Sequence, residues 1–255
     1  VHHVVIDGVA LRILAEDLAS AWEDLSAGRP VALTKGDTSF RQWSTELSAA
    51  CAHGEFAADE DYWLRAVRAD DPQIGSRPLD PVVDTVGTEA RLKVRLDATT
   101  TSRLLGPVPV AIRGGVNDAL VAALALAVAR WRGGTTDGLL LELEGHGREA
   151  DHLRVGDRLD LSRVIGWFTT LFPVHVDPGA AGWDDLMTGG AALGMAVKAV
   201  KDQLRAVPRN GLSYGALRYL SGRERADLAV TPQILFNYLG RFAGAGDQPW
   251  ARGLA

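Results

Sequence analysis

The chain of 255 residues is 47% hydrophobic and 23% charged, proportions that support a buried core and exclude a disordered chain. Its 27 basic and 32 acidic side chains leave a formal charge of −5 without a basic block, which argues against a nucleic-acid partner. A single cysteine, Cys51, excludes an internal disulfide or thiolate cluster and favours a cytoplasmic location, and the longest apolar run, residues 119–128, is too short to span a bilayer.

Val1 to Ile6 is β-branched and carries His2 and His3, so it reads as a strand turning at Asp7-Gly8 into a helix. With no initiator methionine or signal peptide, the chain reads as a fragment entered in mid-strand. In the first helix Leu11, Leu14, Leu18, Trp22 and Leu25 recur at three- and four-residue steps and form the expected core face, and Gly28-Arg29-Pro30 ends it. Thr38-Ser39 caps a second helix with Phe40, Trp43 and Leu47, and residues 59–67 give a third with Tyr62, Trp63 and Val67. Both are expected to pack on the surface. Residues 70–87, rich in Pro, Gly and Asp, read as a linker.

Residues 90–96 alternate Leu92, Val94 and Leu96 with Arg91, Lys93 and Arg95, the period of a half-exposed strand. Residues 117–131 predict an apolar helix buried on most sides. Residues 139–144 form a strand ending in Gly145-His146-Gly147; residues 164–176 form another, broken by Pro173. Residues 186–204 are read as one helix and 234–239 as a last strand before a glycine-rich tail. The fold class is α/β, an α+β two-layer sandwich with helices packed on a sheet.

Two constellations carry candidate chemistry. In a strand, His2 and His3 point to opposite faces and cannot share one metal; one of them near a helix N-terminus would be kept neutral and available as a base. Taken alone, a hydrogen-bonded structural histidine is an equal alternative. In Glu144-Gly145-His146-Gly147-Arg148-Glu149 the strand presents Glu144 at its end, and the glycines allow close backbone approach to a ligand. The bland alternative is a solvated turn in which Arg148 pairs with Glu144 or Glu149.

His2 to Gly8 resembles the HHxxxDG motif of the acyltransferase-like superfamily that includes the condensation and epimerization domains of nonribosomal peptide synthetases. Residues 144–149 resemble the EGHGRE motif found in epimerization domains and not in condensation domains. Residues 162–174 resemble RTVGWFTxxYP, residues 208–215 (PRNGLSYG) resemble PxxGxGYG, and residues 236–240 are FNYLG. Thr38 to Trp43, Tyr62-Trp63 and Val116-Asn117-Asp118 also look familial. Departures are Val164-Ile165 for Thr-Val, Phe172 for Tyr, Ser213 for Gly and Ala10-Leu11 for Ser-Trp. The last two bear on the flexibility of the 208–215 segment and on the packing behind His3.

The resemblance implies two subdomains similar to chloramphenicol acetyltransferase with a tunnel between them. Residues 1–75 would be the tail of the N-terminal subdomain, 76–89 a linker and 90–255 the C-terminal subdomain; an upstream segment typical of the family is absent, so the isolated chain is expected to be inactive. The implied activity is epimerization, L to D, of the Cα of an aminoacyl or peptidyl thioester on the phosphopantetheine arm of a carrier protein. His3 and Glu144 would be catalytic, with Asp7 structural. His2 and Gly8 would be supporting members of the motif, Arg148 would orient Glu144, and Asn237 and Tyr238 are candidate donors to the developing oxyanion. No metal and no cofactor of the chain's own is expected; the partners would be the carrier protein and neighbouring synthetase domains. The alternatives are an amide-forming condensation domain, using His3 without Glu144, and a non-catalytic module that docks carriers.

Overall fold

The computed structural model describes residues 2–134, 138–222 and 224–240. Its sheet has three strands in the order β2-β1-β3, where β1 is Leu139–Gly145, β2 Thr170–Val176 and β3 Leu235–Phe236. β1 is antiparallel to β2 along its whole length, from Leu139↔Val176 to Gly145↔Thr170, and parallel to β3 at Glu142↔Leu235 and Leu143↔Phe236. Leu139, Leu141 and Leu143 enter the main core, and Leu140 is buried on the opposite face. Only the end of the strand therefore has an open face, and Glu142 and Glu144 occupy it.

Nine α-helices are found among the described residues: α1 (Gly8–Ser26), α2 (Phe40–Ala52), α3 (Glu60–Val67), α4 (Ala98–Leu105), α5 (Pro107–Ile112), α6 (Val116–Trp131), α7 (Trp183–Met187), α8 (Ala191–Arg205) and α9 (Leu212–Tyr219). α6 packs on α8, while α3, α8 and α9 lie against β2. Trp63 is fully buried among Phe172, Tyr214 and Tyr62, and its indole N–H donates to Ser213 Oγ at 2.9 Å. Trp43 is buried as well, so α2 and α3 belong to the core and are not merely surface-packed. Ser213, which stands where the motif it resembles has glycine, accepts that hydrogen bond. None of the described helices is by itself long and apolar enough to cross a membrane.

Several elements differ from the sequence reading. His3–Val5 is a 3₁₀ turn and not a strand: His2 Nδ1 accepts the Val4 N–H at 3.1 Å, and these local bonds win where no described strand offers a ladder partner. Residues 90–96 are irregular, with Leu92 91% exposed. Alternation specifies a strand only when a neighbour pairs with it. Regular pairing in β2 starts at Thr170, and Pro173 sits within it opposite Glu142, tolerated because β2 is an edge strand. The helix read over 186–204 is split into α7 and α8 at Gly189, whose φ is +72°. The last strand is two residues long, and the glycine-rich tail lies outside the described residues.

α6 buries one face, through Val121, Ala122 and Ala125, and not most sides. In α1 the buried line is Ala10 and Ile13, whereas Leu18, Trp22 and Leu25 face outward. On the acidic flank of α1, Glu16 and Asp17 pair with Arg163.

Candidate functional site

The site is assembled on residues 166–171, which run between the histidine turn and the end of β1. Asp7 is 1% exposed. Its Oδ1 caps α1 by accepting the Ala10 N–H at 2.7 Å, its Oδ2 accepts the Phe168 N–H at 2.9 Å, and its own N–H donates to Gly166 O at 3.2 Å. The Arg148 guanidinium lies 3.7 Å from Oδ1, and both side chains are buried. Arg148 also donates to Leu161 O and, at 2.8 Å, to Val164 O, and it lies over the Phe168 ring at 4.2 Å. Burial lowers the Arg148 pKa and the Asp7 carboxylate opposes that shift. One carboxylate thus fastens the histidine turn, the start of α1 and the 161–168 loop together.

His3 is exposed on this platform. Its Nδ1 lies 2.8 Å from Ile6 O, and because a carbonyl only accepts, Nδ1 carries the proton and Nε2 is left as the basic nitrogen. The imidazole packs against Trp167 with centroids 4.5 Å apart. Sequence reasoning missed this contact, although Trp167 lies within a segment it had singled out; Trp167 fills the place behind His3 that the Ala10-Leu11 departure had put in question. His2 is exposed and engaged with its own turn. Gly8 opens α1, and a Cβ there would meet nothing within 4 Å, so packing does not demand glycine at that position.

Glu144 stands at the other end of the platform, paired in register with Leu171. Leu171 follows Trp167 by four positions, a span of at most about 13–14 Å in extended chain. Among the described residues His3 and Glu144 are not hydrogen-bonded to each other. Glu144 Oε2 accepts a hydrogen bond from Asn237 Nδ2, supplied from just beyond β3. Asn237 therefore holds the carboxylate, which differs from the expected role of an oxyanion donor, and Tyr238, at the next position, is half-buried. The expected pairing of Arg148 with Glu144 is also corrected. Gly147 adopts φ +67° and turns the chain after β1, so that Arg148 reaches Asp7 instead. A Cβ on Gly147 would lie 1.6 Å from Phe168 O, so only glycine lets these two backbones meet.

Two further features adjoin Glu144. Glu142, on the same strand face, has its pKa raised by burial; Arg218 lowers it in part and the neighbouring Glu144 charge adds to the rise. Arg218 in turn donates to Tyr214 Oη at 2.9 Å, and Tyr214 donates to Leu228 O at 2.7 Å. Glu149 gathers His146, His152 and Asn210 around its carboxylate, bracing the turn that follows Glu144 against residues 208–211.

With the geometry in place, comparisons with known proteins are specific. A model described as the condensation domain matches residues 1–251. The chain is 36% identical over 243 residues to a linear gramicidin synthase subunit of Brevibacillus parabrevis, covering 94% of this chain and 4% of that protein. It is 36% identical over 244 residues to a mycosubtilin synthase subunit of Bacillus subtilis, covering 94% and 9%. Among solved structures, the epimerization domain from the third module of tyrocidine synthetase B superposes with a TM-score of 0.76 at 32% identity, covering 96% of this chain and 53% of that one. The first condensation domain of the calcium-dependent antibiotic synthetase, bound to a substrate analogue, gives a TM-score of 0.61 at 20% identity over 93% of this chain and 46% of its own, a likeness of fold alone. The chain thus spans a small part of the curated synthetases and about half of the solved domains.

Proposed function

The chain belongs to the condensation-domain family of nonribosomal peptide synthetases, and on that premise we propose that it epimerizes the Cα of an aminoacyl or peptidyl thioester carried on the phosphopantetheine arm of a carrier protein. In this reading residues 1–75 are the tail of an N-terminal subdomain, 76–89 a linker and 90–255 the C-terminal subdomain. The chain uses no cofactor of its own; the pantetheine arm arrives as part of the substrate, and the carrier and adjoining synthetase domains are the partners.

The observation that carries the proposal is Glu144 at the open end of β1, held by Asn237, with the Nε2 of His3, which has no hydrogen-bond partner among the described residues, beside Trp167. Inversion of a stereocentre requires proton removal from one face and delivery to the other, and two separated groups suit that better than one. One group takes the Cα proton, the electron pair passes into the thioester carbonyl as an enolate, and the other group delivers a proton to the opposite face. Amide formation would call on a single base, and the paired carboxylate would then have no role. The likeness to a solved epimerization domain, at 32% identity, supports the same choice.

The test uses the synthetase polypeptide that carries this chain and a carrier loaded with an L-aminoacyl group, in deuterated water. The parent should place deuterium at Cα and release both enantiomers on hydrolysis. His3→Ala and Glu144→Gln should each reduce exchange by about 10²–10⁴-fold, the usual worth of a general acid or base. Dipeptide formation with no D-product, unaffected by Glu144→Gln, would establish condensation instead; full exchange in either variant would remove that residue from the mechanism.

A further inference from the structure

Glu142 is the titratable group on the open face of β1 that the reaction outlined above leaves unused. It stands two positions before Glu144, so both side chains rise from one face with Cα atoms about 6.5 Å apart. Its other neighbours on that face are Leu140 on β1, Pro173 opposite it on β2 and Leu235 opposite it on β3, and none of these side chains can bond a carboxyl group. Charged groups of the surrounding elements are engaged elsewhere. Arg218 of α9 attracts the Glu142 charge but donates to Tyr214 Oη at 2.9 Å, and the His175 ring of β2 lies against Gly138. On α6, Asp118 accepts the Gly115 N–H at 2.8 Å and Arg130 lies over Trp183. Glu144 is thus the polar neighbour that the strand itself places beside Glu142.

Inversion at Cα leaves its two proton-handling groups with exchanged protonation states, since one has gained a proton and the other has lost one. Both must be reset from solvent before the next substrate. For His3 the route is open, because the residue is exposed. Glu144 is half-buried, Asn237 occupies its Oε2, and a thioester lying against it would cover its outer side. Resting on the epimerization reading above, we propose that Glu142 is the proton relay of Glu144, exchanging a proton with it between turnovers, directly or through one bridging water. When Glu144 has delivered its proton, the Glu142 O–H bond breaks as the Glu144 O–H bond forms, and Glu142 then takes a proton from hydronium or a buffer acid; when Glu144 has gained a proton, the same bonds form and break in reverse. Glu142 acts through Glu144 and does not touch the substrate. Burial raises its pKa against the pull of Arg218, so it keeps a transferable proton to higher pH than an ordinary glutamate does.

The test uses the same synthetase and L-aminoacyl carrier in deuterated water at low buffer concentration. Glu142→Gln should lower steady-state exchange about 10²-fold, the lower end of what proton transfer by a positioned side chain contributes, with the KM for the carrier unchanged within about 2-fold. The first turnover, followed with enzyme in excess over loaded carrier, should stay within about 3-fold of the parent, because His3 and Glu144 start it already equilibrated with solvent. Imidazole, a small proton carrier titrating near neutrality, should restore the steady-state rate of the variant as its concentration rises and leave the parent unchanged. Glu142→Asp, whose carboxyl group reaches less far, should show a smaller loss with the same rescue, and it decides the matter should the glutamine variant fail to fold. Loss that is equal in first and later turnovers, loss that imidazole does not relieve, or an unimpaired Glu142→Gln enzyme would each overturn the relay. No exchange by the parent would instead overturn the epimerization reading, and the relay with it.

Discussion

The two candidate groups are held by different kinds of structure. His3 sits on a platform whose fastening is a buried charge pair, Asp7 and Arg148, supplemented by hydrogen bonds from Ala10 and Phe168. Glu144 is held by the β1–β2 ladder and one side-chain amide, that of Asn237. Charge burial makes the histidine wall sensitive to any loss of a partner, because the group left behind keeps its desolvation cost. Changes on the glutamate wall leave the ladder intact. Substitutions near His3 are therefore expected to disturb folding, while substitutions at Glu144 should disturb it much less.

The largest effect expected from this contrast is on Asp7. Asp7→Ala strands the Arg148 guanidinium and uncaps α1, and should cost about 3–5 kcal/mol of unfolding free energy, the usual penalty for breaking a buried pair. Asp7→Asn keeps an acceptor for Ala10 and should lose less. Urea titration of the two proteins beside Glu144→Gln gives the comparison: the glutamine variant should stay within about 0.5 kcal/mol of the parent. A fully stable Asp7→Ala protein would show that the platform does not depend on the pair.

Next in size is a contrast between two motif glycines. Gly147 combines φ +67° with contact against Phe168 O, whereas Gly8 has open space around its Cβ direction. Gly147→Ala should destabilise by at least about 2 kcal/mol, since a left-handed backbone alone costs an alanine roughly 1–2 kcal/mol. Gly8→Ala should be neutral or slightly stabilising. Thermal unfolding of both variants checks this, and equal melting temperatures would contradict the close approach at Gly147.

This contrast also marks what was legible in the sequence. α1, α2, α3 and β1 were readable because their signals are local: Asp7 and Ser39 cap their helices within three residues, and the leucines of β1 alternate within one strand. The segments that carry His3, Glu144 and Asn237 stood out through short motifs that resemble those of a known family, and the strand read for the His3 segment is a 3₁₀ turn. What escaped depends on distant partners. The alternation at residues 90–96 says nothing about whether a neighbouring strand exists, and the partner of Asp17 on α1 is Arg163, 146 positions away. Arg148 follows Glu144 closely in sequence, but the Gly147 turn sends it to Asp7. α9 was hidden because Arg209, Asn210 and Gly211 all take positive φ just before it, so that its first residues look like the remainder of a loop.

The smallest effect tests how far burial extends past Glu144 along β1. Glu142 has its pKa raised by burial, more than Arg218 lowers it. In the unfolded chain it ionises near the ordinary glutamate value of about 4.3, while the folded chain retains its proton to higher pH. Between those two points the native state binds more protons than the unfolded state, so Glu142 favours folding below the unfolded value and withdraws that support as the pH rises through the folded one. Glu142→Gln, which cannot ionise, should thus raise the denaturation midpoint at pH 7–8, by no more than the roughly 0.5 kcal/mol typical of a partly exposed site, and the gain should vanish near pH 4. Glu144→Gln should show a weaker trend of the same sign, because removing its charge relieves Glu142. A variant less stable than the parent at pH 8 would mean that the Arg218 attraction outweighs burial, and that the polar end of β1 is held by charge in the manner of the histidine wall.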